Sequence, residues 1–259
     1  MTEQQTVFVI DGPQFQKMVS LLAQNPTELF LSEVCRQSLA RDRWQAAGRP
    51  LKFHDQLAEG TMPGTIAHNR KELETEAFGS ARRTGRLLNP LSALEPVYSR
   101  APELTVLSIG PRTEMELLHL IGLKFQPKNI RAVDLISSSP LIDVGDMHSL
   151  PYPDKSFDVV ISGWAIAYSN RPQRCVDEMI RVCVNGGLIA IGITFDAAND
   201  EGVRAAPRNE KDIEGNNFRT VRDFEVLFGK HLHRVLFQQD PEGQQKGPVM
   251  MIAQIKHSA

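Results

Sequence analysis

Residues 144–160 read VGDMHSLPYPDKSFDVV, and the fold is decided by what this stretch joins. Its end opens an apolar, β-branched run, Phe157 to Ser162, entered from a proline-rich turn, which is the pattern of a buried strand. Upstream, Leu104 to Ile109 is a similar run ending at Gly110, and Ile130 to Leu135 is another that closes on Asp134. Downstream, Leu188 to Phe195 is almost continuously apolar. Between these runs, residues 113–123 (Met115, Leu118, Leu120, Ile121) and 172–184 (Cys175, Met179, Val182, Cys183) carry apolar side chains at helical spacing. Asn185-Gly186-Gly187 reads as the turn between the second helix and its strand. Strands apolar on both faces, alternating with helices, predict an α/β protein with a parallel sheet covered by helices. Arg234 to Gln238 and Val249 to Ile255 are two further strands, joined by a loop or hairpin at Asp240-Pro241-Glu242-Gly243.

The chain changes character near residue 100, which gives two expected units: 1–100, mainly helical, and 101–259, the α/β core. In the first unit Phe15, Met18, Val19 and Leu22 predict one helix and Leu29, Phe30, Val34 and Leu39 a second, with Thr27 as a candidate N-cap. Gly48 to Gly64 reads as irregular chain, and Arg82, Arg83 and Arg86 form a basic cluster whose plainest reading is a solvated helix face. The 259 residues carry a net charge of −2, which argues against a dedicated binder of nucleic-acid backbones. No run reaches the roughly 20 apolar residues of a membrane-spanning helix, and Met1 to Gln5 shows no leader pattern. Cys35, Cys175 and Cys183 lack the spacing of a metal site or disulfide framework, so a cytoplasmic setting is expected.

In open parallel sheets, ligands settle beyond the carboxyl ends of the strands. The first strand delivers Gly110-Pro111-Arg112-Thr113-Glu114 there; the glycine lets backbone approach a ligand, and the following helix offers free N–H groups. Asp134, at the end of the second strand, can accept both hydroxyls of a ribose or cap the next segment. Asp146-Met147 pairs an acceptor for an exocyclic amine with a flexible side chain suited to a purine face.

From Leu104 to Phe195, and above all in Gly145–Val160 and Glu178–Ile191, the order and spacing resemble the class I S-adenosylmethionine-dependent methyltransferases of small-molecule type. The resemblance implies a Rossmann-like sheet, mostly parallel with an antiparallel last strand, and S-adenosylmethionine as cofactor. It implies that Gly110 lies against the methionine part and Asp134 holds the ribose. It also implies that Asp146 and Met147 border the adenine with His148 beside them, and that Ser162, Gly163 and Trp164 line the floor where the methyl group meets its acceptor.

The first loop departs from the family, which carries an acid two residues before the first glycine and further glycines after it; here those positions hold Ser108 and Pro111-Arg112-Thr113-Glu114. Proline fixes φ and lacks an N–H, so the loop must take another shape. Arg112 could pair with the cofactor carboxylate and Glu114 with its ammonium, or the two could form a salt bridge at a helix start. Tyr168 is the candidate catalytic residue on the acceptor side, with a buried structural tyrosine as the alternative. No metal site is expected: of the histidines, only His231 and His233 are suitably spaced. The resulting expectation is a methyltransferase for a small-molecule or saccharide-like acceptor. Its N-terminal helices serve as a lid or dimer arm, and the polar stretch from Asp196 to Thr220 closes the acceptor side. Two rivals stand beside it: a methyltransferase-like partner or structural subunit without turnover, and an enzyme using the nucleoside site for another reaction.

Overall fold

The computed structural model describes residues 11–54, 61, 64–74, 81–197 and 218–257, the side chains of residues 74 and 81–84 apart. Most of the predicted stretch between Asp196 and Thr220 and the side chains of Arg82 and Arg83 lie outside the described residues; Arg86 is exposed.

The helices are α1 (Gly12–Gln24), α2 (Glu33–Ala46), α3 (Thr65–Glu74), α4 (Ala81–Ser92), α5 (Val97–Arg100), α6 (Met115–Gly122), α7 (Pro172–Val182) and α8 (Val221–Phe228). The strands are β1 (Lys52–Phe53), β2 (Val106–Ile109), β3 (Ile130–Asp134), β4 (Ile136–Ser137), β5 (Asp143–Val144), β6 (Phe157–Gly163), β7 (Cys183–Asp196), β8 (Leu232–Gln239) and β9 (Lys246–Ile255). Seven strands form one sheet in the order β5-β3-β2-β6-β7-β9-β8. Strands β5, β3, β2, β6 and β7 run parallel, and β9 lies antiparallel between β7 and β8. This is the Rossmann-like class I sheet with its antiparallel last strand.

The sheet is buried on both faces, as continuous apolar strands require. On one face Leu107, Ile109, Val160 and Ile191 pack with Val176 and Met179 of α7 and Phe224 and Phe228 of α8. On the other, Val106, Val159, Ile161 and Ile252 pack with Leu87, Leu88 and Leu91 of α4 and Leu117 and Leu120 of α6. Each fully buried side chain of this size contributes about 1.5–3 kcal/mol by leaving water. A smaller cluster of Ala40, Trp44, Leu73, Met115, Leu118 and Ile136 fastens α2 and α3 to α6. Helices α4 and α5 therefore share core with the sheet, while α2 and α3 share the smaller cluster with α6.

Three local readings change. Thr27 lies inside a 3-10 turn, Pro26–Leu31, and α2 starts after Ser32. Helix α7 stops at Val182, and β7 already pairs at Cys183; the turn residues 185–187 form an excursion within it, three residues longer on β7 than on β6, with Gly186 at φ +80°. The expected apolar face of α1 stays open: Phe15, Met18 and Val19 are all exposed. Among the described residues, no helix is long and apolar enough to cross a membrane.

Candidate functional site

From β2 the chain moves outward through β3 to β5, then returns to place β6 on the other side of β2. At that reversal of strand order the connections diverge and leave a crevice. A cleft occupies it, with an empty volume of about 820 Å³, part of it open to solvent. Ile109, Gly110, Pro111 and Arg112 line it from the β2–α6 loop, Asp134 and Leu135 from β3, and Gly145 and Met147 from beyond β5. Gly163, Trp164, Ala165 and Tyr168 line it beyond β6, Glu116 from α6, and Thr65 and Asn69 from α3.

The β2–α6 loop holds its shape without the family's extra glycines. Gly110 sits at φ +73°, and a Cβ there would stand 2.5 Å from that of Ala165, so only glycine fits. Arg112 is also left-handed, at φ +57°, which costs a side-chain-bearing residue about 1–3 kcal/mol. Hydrogen bonds offset that strain: the Arg112 N–H donates to Asp134 Oδ2 at 2.9 Å, and Ser138 Oγ donates to the Arg112 carbonyl at 3.0 Å. The guanidinium donates to Asn69 Oδ1 at 2.7 Å and lies 3.8 Å from Glu72 Oε2. Arg112 thus ties the loop to α3.

Asp134 also accepts from the Ile136 N–H at 3.2 Å. Burial pushes its carboxyl pKa up, and the N–H bonds from Ile136 and Arg112 only partly counter that, so the net direction is upward. Trp164, at φ +69°, lies across the floor and donates its indole N–H to Thr194 Oγ1 at 2.8 Å. The Tyr168 ring faces that of His68 with centroids 6.1 Å apart.

Seven of the predicted cofactor residues therefore meet in one cleft: Gly110, Pro111, Arg112, Asp134, Met147, Gly163 and Trp164, with Tyr168 at its side. Four do not line it. Glu114 accepts from Arg43 Nε at 2.6 Å and from the Ser139 hydroxyl, in a separate cavity against α2. The expectation that it meets a cofactor ammonium is therefore withdrawn. Its alternative as an Arg112 partner also fails, since Arg112 turns to α3. Asp146 Oδ1 is taken by the His148 backbone N–H at 2.9 Å and ring Nδ1 at 2.6 Å. His148 is itself buried, with Nε2 2.7 Å from Ser169 Oγ, so its ring bridges two loops behind the cleft wall. Burial raises the Asp146 pKa, the hydrogen bonds from His148 lower it by more, and the net direction is downward. Ser162 is fully buried in β6, with no hydrogen-bond partner for its hydroxyl among the described residues.

Sequence reasoning missed Glu116, Thr65 and Asn69. Glu116 had a signal, an acid within the apolar run Met115 to Ile121. Thr65 and Asn69, one helical turn apart on α3, had none.

A cleft at a strand-order reversal, floored by a left-handed glycine and flanked by an acid ending the next strand, is where Rossmann-like folds hold their ligands. Residues 110–191 match the family model described as a methyltransferase domain. The chain is 32% identical over 76 residues to an ajmaline N-methyltransferase of Rauvolfia serpentina, covering 27% of this chain and 26% of that protein. It is 39% identical over 61 residues to a phosphatidylethanolamine N-methyltransferase of Cereibacter sphaeroides, covering 24% of this chain and 29% of that one. The chain thus matches less than a third of the length of either relative. In fold it resembles a chain from the complex between the Haloferax volcanii Trm112 methyltransferase activator and a methyltransferase. That match has a TM-score of 0.56 and 16% identity, over 77% of this chain and 99% of that one. Residues 110–191 thus match a methyltransferase domain, on a Rossmann-like class I sheet.

Proposed function

We propose that the chain binds S-adenosylmethionine in this cleft and methylates a small-molecule acceptor, of which a saccharide-like molecule is one class, with α3 as the lid. The cofactor supplies an electrophilic methyl group. Asp134 accepts from the ribose hydroxyls, and Met147 packs on the purine beside Gly145. Gly110 and Gly163 leave room for the amino-acid part. Trp164 and Ala165 floor the route to the acceptor, and Tyr168 orients the attacking atom, because an in-line displacement gains most from alignment. Helix α3 excludes water through Thr65 and Asn69.

The observation that carries this reading is the convergence of Gly110, Asp134, Met147 and Trp164, from four separate strand ends, on one cleft. Calorimetry with S-adenosylmethionine and S-adenosylhomocysteine tests it. Binding should be in the micromolar range, and Asp134→Ala should weaken it at least about thirtyfold, roughly 2 kcal/mol for two hydrogen bonds to a charged group. Absence of binding at millimolar ligand would sink the proposal. Given binding, transfer of labelled methyl to a panel of amines, phenols and saccharides identifies the acceptor class.

A further inference from the structure

The cleft holds a second carboxylate besides Asp134. Glu116 lies in the first turn of α6, is only 5% exposed, and is flanked by Met115, Leu117 and Leu118. Burying a carboxylate is costly unless hydrogen bonds or a counter-charge compensate it. One oxygen is fixed from below: Ser108 Oγ, on β2, donates to Glu116 Oε1 at 2.7 Å. The other lies 3.4 Å from where a Cβ on Gly163 would stand, so it reaches the end of β6. In the strand order β3-β2-β6, Asp134 ends the first of these strands, Gly110 follows the second and Glu116 reaches the third. The two acids thus face the cleft from opposite sides of the glycine.

A ligand whose diol meets Asp134 and whose chain crosses Gly110 brings its far end to Glu116. On the cofactor that end carries an ammonium. Ammonium N–H groups bond a carboxylate directly, whereas a sulfonium has no hydrogen to donate. We propose that Glu116, held in place by Ser108, is the residue that binds the cofactor's ammonium group. The assignment rests on the cofactor reading above. It also accounts for Glu114: two residues apart on a helix means about 200° of rotation, so Glu114 and Glu116 face opposite sides.

The test is calorimetry with S-adenosylmethionine, S-adenosylhomocysteine and 5′-methylthioadenosine, the last lacking the amino-acid part altogether. Glu116→Gln keeps an acceptor for Ser108 and removes the charge. It should weaken the first two ligands about ten- to thirtyfold, about 1.4–2 kcal/mol, and leave 5′-methylthioadenosine within about twofold. Ser108→Ala should give a smaller loss with the same ligand pattern. Unchanged affinity, equal weakening of all three ligands, or a loss confined to S-adenosylmethionine would each overturn the assignment, the last by giving Glu116 to the sulfonium. If the unaltered chain binds none of the three, the cofactor reading itself falls and the assignment with it.

Discussion

Replacing Gly110 with alanine separates two costs that the loop geometry predicts. At φ +73° an L-residue is left-handed, which costs about 1–2 kcal/mol. The new methyl would also stand 2.5 Å from Ala165 Cβ, against 3.4–4 Å for ordinary contact. Neither methyl has a rotamer through which to escape, so backbone must move by about 1 Å, and overpacking of that kind costs about 1–3 kcal/mol. Gly110→Ala should therefore destabilise the fold by about 2–5 kcal/mol in total. Ala165→Gly leaves the Ala165 Cα, at 3.6 Å, as the nearest atom and removes the collision but not the backbone strain. Urea unfolding of the parent, both single variants and the double variant forms a cycle. Its coupling energy should be about 1–3 kcal/mol in the direction of rescue. Strictly additive losses would refute the collision and assign the whole cost to backbone conformation.

His119 of α6 is buried beside the Arg36 charge; burial first and that charge second lower its pKa to about 4. Because the folded value lies below the unfolded value of 6.5, the neutral form's contribution is complete above pH 6.5 and fades as pH falls toward 4. Between pH 7 and pH 5 the loss is about 2 kcal/mol, so urea stabilities of the parent and His119→Leu should converge or cross by that amount; parallel pH profiles would count against it. Arg43→Gln leaves the buried Glu114 carboxylate without its guanidinium and should cost about 1–2 kcal/mol, discounted because Arg43 is half exposed. Glu114→Gln should leave cofactor affinity within about twofold, and a tenfold loss by calorimetry would return Glu114 to the site. Tyr168→Phe should lower turnover about ten- to a hundredfold at unchanged cofactor affinity; equal turnover would make Tyr168 structural.

The strand ends were legible because strands buried on both faces are written as unbroken apolar runs, and their last residues fall at the crevice without further information. That is why Gly110 and Asp134 could be placed at the crevice from the strand ends, whereas Gly163 and Trp164 came from the family resemblance. Direction around a helix was less legible. Whether residue 114 or 116 faces the ligand depends on how the loop enters α6, and a left-handed arginine at 112 is not a conformation that sequence announces. Asp146 and His148 lie in a motif whose composition suits a ligand, yet each is the other's hydrogen-bond partner. The wall from α3 was invisible because Thr65 and Asn69 are ordinary residues for a solvated helix, and only packing turns them inward. The open face of α1 shows the converse: amphipathic spacing predicts a helix but not that its apolar side is covered.

The place of β9 between β7 and β8 bears on how the chain assembles. β8 precedes β9 in sequence, yet among the described residues its hydrogen-bonded neighbour in the sheet is β9 alone. While the chain is being made, β8 therefore emerges with both edges unsatisfied and waits for the next strand before it can join. The same holds after any event that strips β9 away: β7 keeps its pairing with β6 but loses its outer ladder, β8 loses the ladder it shares with β9, and long edges open at once to pairing with other chains. Lesions in Val249 to Ile255, far from the cleft, should thus surface as aggregation rather than as weakened catalysis.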